Sequence, residues 1–267
     1  MMQGYETRAL SGLTAHVQPG PKVILQHGLC GSAAQPAEVF PQGHGFGHAV
    51  LECRGHGQSP LGDPSQIALA TFTDDLAALA TTVNPVAVGG ISMGAALALR
   101  LAVTRPDLVP ALILSRPAWV TDAAPANMQP NAVVGRMIAQ GRSLADFDAT
   151  DLARHLALHA PDNLASLRGF FNREPLAETA TLLTRISAQG PDVSPGDLAA
   201  LDLPTLILAS DEDVIHPFAH AVTLSRLIPG AVLVDLPPKG RDKAAHVAAC
   251  QAAILQFLKG LPHDPKP

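Results

Sequence analysis

Short, unbroken apolar runs alternate with longer amphipathic stretches along much of this chain. Lys22-Val23-Ile24-Leu25-Gln26 is one such run. Its length and lack of polar alternation predict a strand buried on both faces. Gly47 to Glu52, Val86 to Gly89, Val109 to Leu114, Thr205 to Ala209 and Ala231 to Asp235 read the same way. Helices are predicted between them, at Ala33–Phe40, Phe72–Thr82, Ala95–Leu101, Phe218–Leu227 and Ala244–Lys259. In the second of these, Phe72, Leu76, Leu79 and Val83 share one face, and Asp74 and Asp75 sit in the first turn, where the helix dipole favours negative charge.

From about Pro117 to Ala200 the rhythm changes. Helical segments at Ala132–Gln140, Asp151–His159 and Leu176–Ala188 follow one another without intervening strands. The alternation elsewhere predicts an α/β fold, with a mostly parallel central sheet flanked by helices on both faces. The all-helical stretch then reads as an insertion. The expected organisation is a core of residues 1–116 and 201–267, with a helical cap over 117–200.

One junction in this pattern carries candidate chemistry. Gly90-Ile91-Ser92-Met93-Gly94 lies where a predicted strand turns into a predicted helix. A serine lifted clear of the backbone there needs a strained conformation, and the residues two positions either side of it approach closely, so both must lack side chains. The following helix points its positive end at the site, where developing negative charge is stabilised. Serine is a poor nucleophile at neutral pH, so a base and a group orienting that base must be found elsewhere. An acid-bearing loop, Ser210-Asp211-Glu212-Asp213-Val214-Ile215-His216-Pro217, follows the predicted strand at Thr205–Ala209. Ala245-His246-Val247 enters the last helix. Ser92, Asp213 and His246 are the candidates in chain order; Asp211 and the tail residue His263 are the alternatives.

Four stretches now resemble the α/β-hydrolase superfamily in its serine hydrolase branch. Gln26-His27-Gly28-Leu29-Cys30-Gly31-Ser32 is similar to that superfamily's oxyanion loop, and Glu52-Cys53-Arg54-Gly55-His56-Gly57-Gln58-Ser59 to the segment after its fourth strand. The serine turn is the third, and Asp213 with Pro217 four residues on is the fourth. The resemblance implies Ser92 as nucleophile, Asp213 as the acid that orients the histidine, with Asp122 as the alternative because some relatives place the acid after the preceding strand, and the backbone N–H groups of Leu29 and Met93 as oxyanion donors. His246 is the histidine that follows Pro229 and precedes the body of the last helix, although Ala245 stands before it where relatives often carry glycine. Glu52 replaces the more usual aspartate, which implies a role in loop structure.

Composition narrows the field. Apolar residues make up 47% of 267, charged residues 15%, and the formal net charge is −5. These values exclude a disordered chain and argue against nucleic-acid or anionic-membrane partners. Cys30, Cys53 and Cys250 are widely spaced and suit neither a zinc site nor a disulfide framework. A soluble cytoplasmic protein with no cofactor and no metal is expected. His155 and His159 have the i, i+4 spacing of a metal pair, but the residues between them include no glutamate, and a solvated helix face is expected. His27 is expected to brace the oxyanion loop and Cys30 to pack. Trp119 and Met137 are candidate pocket residues, with Met128, Ile138, Phe147, Phe170 and Phe171 as further apolar candidates, and Arg168 and Arg173 as possible carboxylate binders.

The expected activity is hydrolysis of a small ester, thioester or lactone through an acyl-enzyme on Ser92. Carbon–carbon bond hydrolysis or acyl transfer would use the same residues. A ligand receptor that kept the fold without catalysis is the alternative of a different class.

Overall fold

A computed structural model describes residues 4–261, so His263 lies outside the described residues. Eight strands form a single sheet in the order β1-β2-β4-β3-β5-β6-β7-β8. They are β1 (Glu6–Leu10), β2 (Leu13–Val17), β3 (Lys22–Gln26), β4 (Gly47–Leu51), β5 (Ala87–Ile91), β6 (Leu112–Ser115), β7 (Thr205–Ala209) and β8 (Val232–Asp235). From β4 to β8 every neighbouring pair is parallel. The strand at Lys22–Gln26, the strand at Thr205–Ala209 and the helix at Phe218–Leu227 fall where the apolar pattern puts them.

Side chains alternate between two cores because successive strand residues face opposite sides. Val23 and Leu25 of β3 join Leu206 and Leu208 of β7 on one face, under α1 (Ala34–Val39) and α11 (Lys243–Lys259). Ile24, Val88, Leu114 and Ile207 face the other side, under α2 (Leu69–Val83), α3 (Met93–Thr104) and α10 (Phe218–Leu227). Burial on both faces explains why these strands read as continuous apolar runs. Each fully buried aliphatic side chain stabilises the fold by about 1.5–3 kcal/mol.

The antiparallel pair β1–β2 is an addition to the expected alternation. Leu10 pairs with Leu13 across a two-residue turn, Ser11-Gly12, in which both residues have positive φ, 51° and 82°. Such a turn matches the strand twist, and Ser-Gly suits it. The signal was present but β1 is an exposed edge strand with no buried face to give it an apolar pattern.

Between β6 and β7 the chain is helical: α4 (Gln129–Ala139), α5 (Leu144–Asp148), α6 (Asp151–His159), α7 (Pro161–Gly169), α8 (Leu176–Ser187) and α9 (Pro195–Ala199), with short 3₁₀ turns. α4 and α8 pack along each other. Val134, Phe147, Leu156, Leu164 and Leu183 form a separate apolar cluster there, which reaches Leu29 and Cys30 of the loop after β3. The helical layer therefore sits against the C-terminal end of the sheet, where ligands bind in open parallel sheets. Among the described residues, no helix is long and apolar enough to cross a membrane.

Candidate active site

Ser92 is the single residue between β5 and α3, with φ 56° and ψ −110°. This is a left-handed conformation that costs a non-glycine residue of order 1–3 kcal/mol. The turn that imposes it is tight on both sides. A Cβ on Gly90 would lie 2.3 Å from the Gly94 carbonyl carbon, and a Cβ on Gly94 would lie 2.4 Å from Gln26 O. Neither position tolerates a side chain. The Ser92 N–H donates to Ser115 O of β6 at 2.9 Å, which ties the turn to the sheet. Its hydroxyl makes no hydrogen bond to the described residues and is not sealed from solvent.

The loop after β3 lies against this turn: a Cβ at Gly28 would be 3.4 Å from Ser92 Cβ. The N–H groups of Leu29 and Met93 have no acceptor among the described residues. Two unpaired donors beside a free hydroxyl are what a tetrahedral oxyanion requires. The loop itself is held from several directions. Gln35 Oε1 accepts from Gly28 N–H at 2.6 Å, and His56 Nε2 accepts from Cys30 N–H at 2.9 Å. His27 Nε2 accepts from Cys53 N–H at 3.1 Å, while its Nδ1–H donates to Gly28 O at 2.9 Å. Arg173 reaches down from the segment before α8, donating through Nε to Cys30 O at 3.2 Å and through Nη2 to Gly55 O at 2.6 Å. An imidazole nitrogen that accepts from a backbone N–H must be unprotonated. Burial agrees, pushing His27 down to about 4 and His56 well below its ordinary value. Burial also pushes the Cys30 thiol up to about 12, so it is no nucleophile at neutral pH. Glu52 shapes the adjoining loop, its carboxylate accepting from Ala33 N–H at 3.1 Å and Gln58 N–H at 2.7 Å.

The acid loop departs from expectation. Asp213 is close to fully buried, and its carboxylate does not meet His246. Its partners are Arg116, through Nε at 2.9 Å and Nη2 at 2.5 Å, Asn163 Nδ2 at 2.9 Å, and the backbone N–H of His216 at 3.0 Å. The His216 ring completes the set, with Nδ1 at 2.9 Å from both carboxylate oxygens. Burial alone would raise the Asp213 carboxyl, but the facing charges and hydrogen bonds of His216 and Arg116 hold it well below the usual carboxylate range. An ionised carboxylate only accepts, so His216 Nδ1 carries the proton and Nε2 has the lone pair. Burial lowers His216 and the Asp213 charge partly restores it, leaving the ring below its ordinary value.

His246 sits in the first turn of α11, buried, with Nδ1–H donating to Pro237 O at 2.8 Å. The helix start fixes it there: Asp242 caps α11 through Ala245 N–H at 2.9 Å, and the His246 N–H bonds Asp242 O. Burial lowers its pKa, and Arg116 and Lys239 add to the effect. Asp213 thus contacts the His216 ring, and no hydrogen bond joins it to His246. Sequence reading missed His216 although the signal was local, an imidazole three residues after the acid and next to Pro217. Asp211 and Asp122 are both exposed and hold no histidine.

A cavity of about 110 Å³ opens beside Ser92. Its wall includes Leu29, His216, Arg116, Lys239, Phe170 and Leu167, and His246 is not part of it. Trp119 and Met137 also do not line it. Trp119 is buried in the main core, with its indole N–H on Gln189 O at 2.7 Å, and Met137 packs against the helical cluster. Of the apolar candidates only Phe170 lines the cavity; Met128 belongs to the main core, and Ile138, Phe147 and Phe171 to the helical cluster. Arg168 pairs with Asp148 at 2.7 Å. The His155 and His159 rings lie 4.5 Å apart, tilted by 42°, on an exposed face, with no third ligand completing a set among the described residues. A wider depression between α2 and α3, about 490 Å³, contains none of these groups.

The family described as serine aminopeptidase, S33, matches residues 18–232. The chain belongs to that family of α/β-hydrolases. A putative carbamate hydrolase RutD of Klebsiella pneumoniae (strain 342) is 29% identical over 82% of this chain and 84% of its own length. The sn-1-specific diacylglycerol lipase ABHD11 of Mus musculus is 26% identical over 82% of this chain and 75% of its own length. An enol-lactonase from Burkholderia xenovorans LB400 superposes with a TM-score of 0.67 at 22% identity, covering 95% of this chain and all of that one (100%). This α/β-hydrolase is therefore an enzyme with the fold that the four sequence stretches imply. The family match ends at Val232, ahead of His246.

Proposed function

We propose that the enzyme hydrolyses a small ester, thioester or lactone through an acyl-enzyme on Ser92, with His216 as base and Asp213 as the acid that orients it. One observation carries this reading: Asp213 holds the imidazole of His216 through Nδ1, and His216 and Ser92 line the same cavity. Ser92 Oγ attacks the acyl carbon while its proton passes to His216 Nε2. The oxyanion that forms accepts from Leu29 and Met93 N–H, and Asp213 stabilises the imidazolium. The imidazolium then gives its proton to the departing alkoxide or thiolate. A water, deprotonated by the same Nε2, attacks the acyl-enzyme and frees Ser92 with a carboxylic acid as product. Residues 117–200 act as a cap over this cavity and set what enters it. Among the relatives, a carbamate hydrolase, a diacylglycerol lipase and an enol-lactonase are each named for cleaving an acyl carbon from a heteroatom.

Turnover of p-nitrophenyl acetate and butyrate, with fluorophosphonate labelling followed by peptide mass analysis, tests the proposal. The expected result is a label on Ser92 and loss of both labelling and turnover in Ser92→Ala. Turnover unchanged in Ser92→Ala would falsify the serine mechanism.

A further inference from the structure

The cavity wall is one-sided in charge. Arg116 and Lys239 line it, while the carboxylates that pair with them, Asp213 and Asp162, do not. Lys239 Nζ is 3.0 and 3.1 Å from the two Asp162 oxygens, and Arg116 Nη2 is 3.8 Å from Asp162, so both cations are anchored from behind. Each keeps donor capacity. Arg116 binds Asp213 through Nε and Nη2 only; its Nη1 makes no hydrogen bond to the described residues and is not sealed. Lys239 has a third ammonium proton beyond those that its one carboxylate partner engages. The other polar side chains of the wall are neutral and add free donors to these cations. Asn131 Nδ2 has only the Met128 sulfur, at 3.6 Å, and Gln35 has its oxygen taken by Gly28 N–H and its Nε2 free. Asn163 has both side-chain functions occupied, by Asp213 and by Val214 N–H. His216 Nε2 is assigned as the base, and no carboxylate is among the wall residues. A cavity so equipped favours a ligand that brings acceptors and negative charge.

We infer that the acyl substrate carries a carboxylate, placed a few atoms from the scissile carbonyl and held by Lys239 with Arg116 Nη1. The inference rests on the proposed serine mechanism for the position of the scissile carbonyl. Arg168 and Arg173, the carboxylate candidates of the sequence, are occupied elsewhere, by Asp148 and by the oxyanion loop.

The test has a catalytic arm and a binding arm. In the first, monomethyl glutarate is compared with methyl pentanoate, a neutral ester of similar length, for wild type, Lys239→Met and Lys239→Arg. Wild type is expected to prefer the charged ester by about tenfold or more in kcat/KM, the worth of one charge-assisted hydrogen bond. That ratio should fall toward one in Lys239→Met and recover in Lys239→Arg. In the second arm, glutarate is titrated against Ser92→Ala with and without Lys239→Met, read by calorimetry. Glutarate should bind the first protein and bind at least about tenfold more weakly to the second. Equal kcat/KM for both esters in wild type, or glutarate binding unaffected by Lys239→Met, overturns the carboxylate assignment. Failure of the serine mechanism is a separate outcome: neither ester would turn over and Ser92 would resist fluorophosphonate, while the binding arm would still decide the carboxylate.

Discussion

The replacement of His216 by alanine separates the two histidines that could serve Ser92. The substitution removes the imidazole that bonds both Asp213 oxygens, but it does not strand the carboxylate. Asp213 keeps Arg116 at 2.9 and 2.5 Å, Asn163 at 2.9 Å, and the backbone N–H of residue 216 at 3.0 Å. The folding loss is therefore that of one hydrogen bond to a charged group, about 1.5–3 kcal/mol, and a typical domain stability of about 5–15 kcal/mol absorbs it. Turnover is another matter, because removing the base disables the nucleophile it serves. A fall in kcat of about 10⁴-fold or more is expected, equivalent to about 5 kcal/mol of barrier. His246→Ala removes one bond to Pro237 O and a buried ring, with no contact to Asp213. Its effect on kcat should stay within about tenfold, since it touches neither nucleophile nor oxyanion donors. Stopped-flow or plate assays with p-nitrophenyl butyrate, alongside thermal melts of each variant, read both quantities. His216→Gln, which keeps volume and a polar end, guards against a packing artefact. If His246→Ala loses the activity and His216→Ala keeps it, the base is His246 and the Asp213–His216 contact is structural.

The pH profile follows from the same ring. His216 is lowered by burial, with Asp213 opposing, and it works only when neutral. kcat/KM should therefore be full at pH 7 and fall as pH drops through an apparent pKa below about 6.5; an acid limb centred above 7 would exclude His216 as base. Stability should also fall with acid. Burial lowers His27 and His48 to about 4, so the unfolded chain takes up protons first, and each group contributes stability that is present above about pH 6.5 and lost as pH falls toward 4, at up to about 1.4 kcal/mol per pH unit. Melting temperatures that stay level from pH 7 to pH 5 would contradict this. Gly90→Ala places its Cβ 2.3 Å from the Gly94 carbonyl carbon, so it should abolish fluorophosphonate labelling, even in whatever fraction folds. Arg173→Gln releases Cys30 O and Gly55 O and should lower kcat by about tenfold with little change in KM, because the donor of Leu29 serves the transition state more than the ground state; an effect confined to KM would place Arg173 in substrate binding instead.

The architecture was legible because its strands are buried on both faces, which prints them as apolar runs. Ser92 was legible for a related reason: Gly90 and Gly94 answer to backbone contacts of 2.3 and 2.4 Å that only one residue type survives. The oxyanion donors we propose, the N–H groups of Leu29 and Met93, are backbone groups, so their proposal needed only the loop to be recognised. What escaped was side-chain direction. Trp119 has the position of a pocket residue, but its indole N–H finds Gln189 O and the ring turns into the core. The β1–β2 hairpin escaped because an exposed edge leaves no apolar period. His216 escaped because proximity in sequence is weak evidence beside a late histidine that fits a family order, whereas the hydrogen bond on which its proposed role rests is visible only in three dimensions.

A histidine on the acid loop simplifies what the fold must hold in place. In an arrangement that draws the histidine from a separate loop, three segments must converge: the serine turn, the acid loop and the histidine loop. Here acid and imidazole sit three residues apart, and the His216 N–H and ring both bond the same carboxylate. Their relative geometry is set within one short loop. The remaining requirement is that this one loop keep its distance from Ser92, and Arg116 provides for that. It stands directly after β6, whose last residue, Ser115, accepts the Ser92 N–H, and its guanidinium grips Asp213. The serine turn and the acid loop are thus tied to the same strand end, within two consecutive residues. That link also explains why a cation lines the cavity at all: Arg116 holds the acid loop through Nε and Nη2 while the residue forms part of the cavity wall.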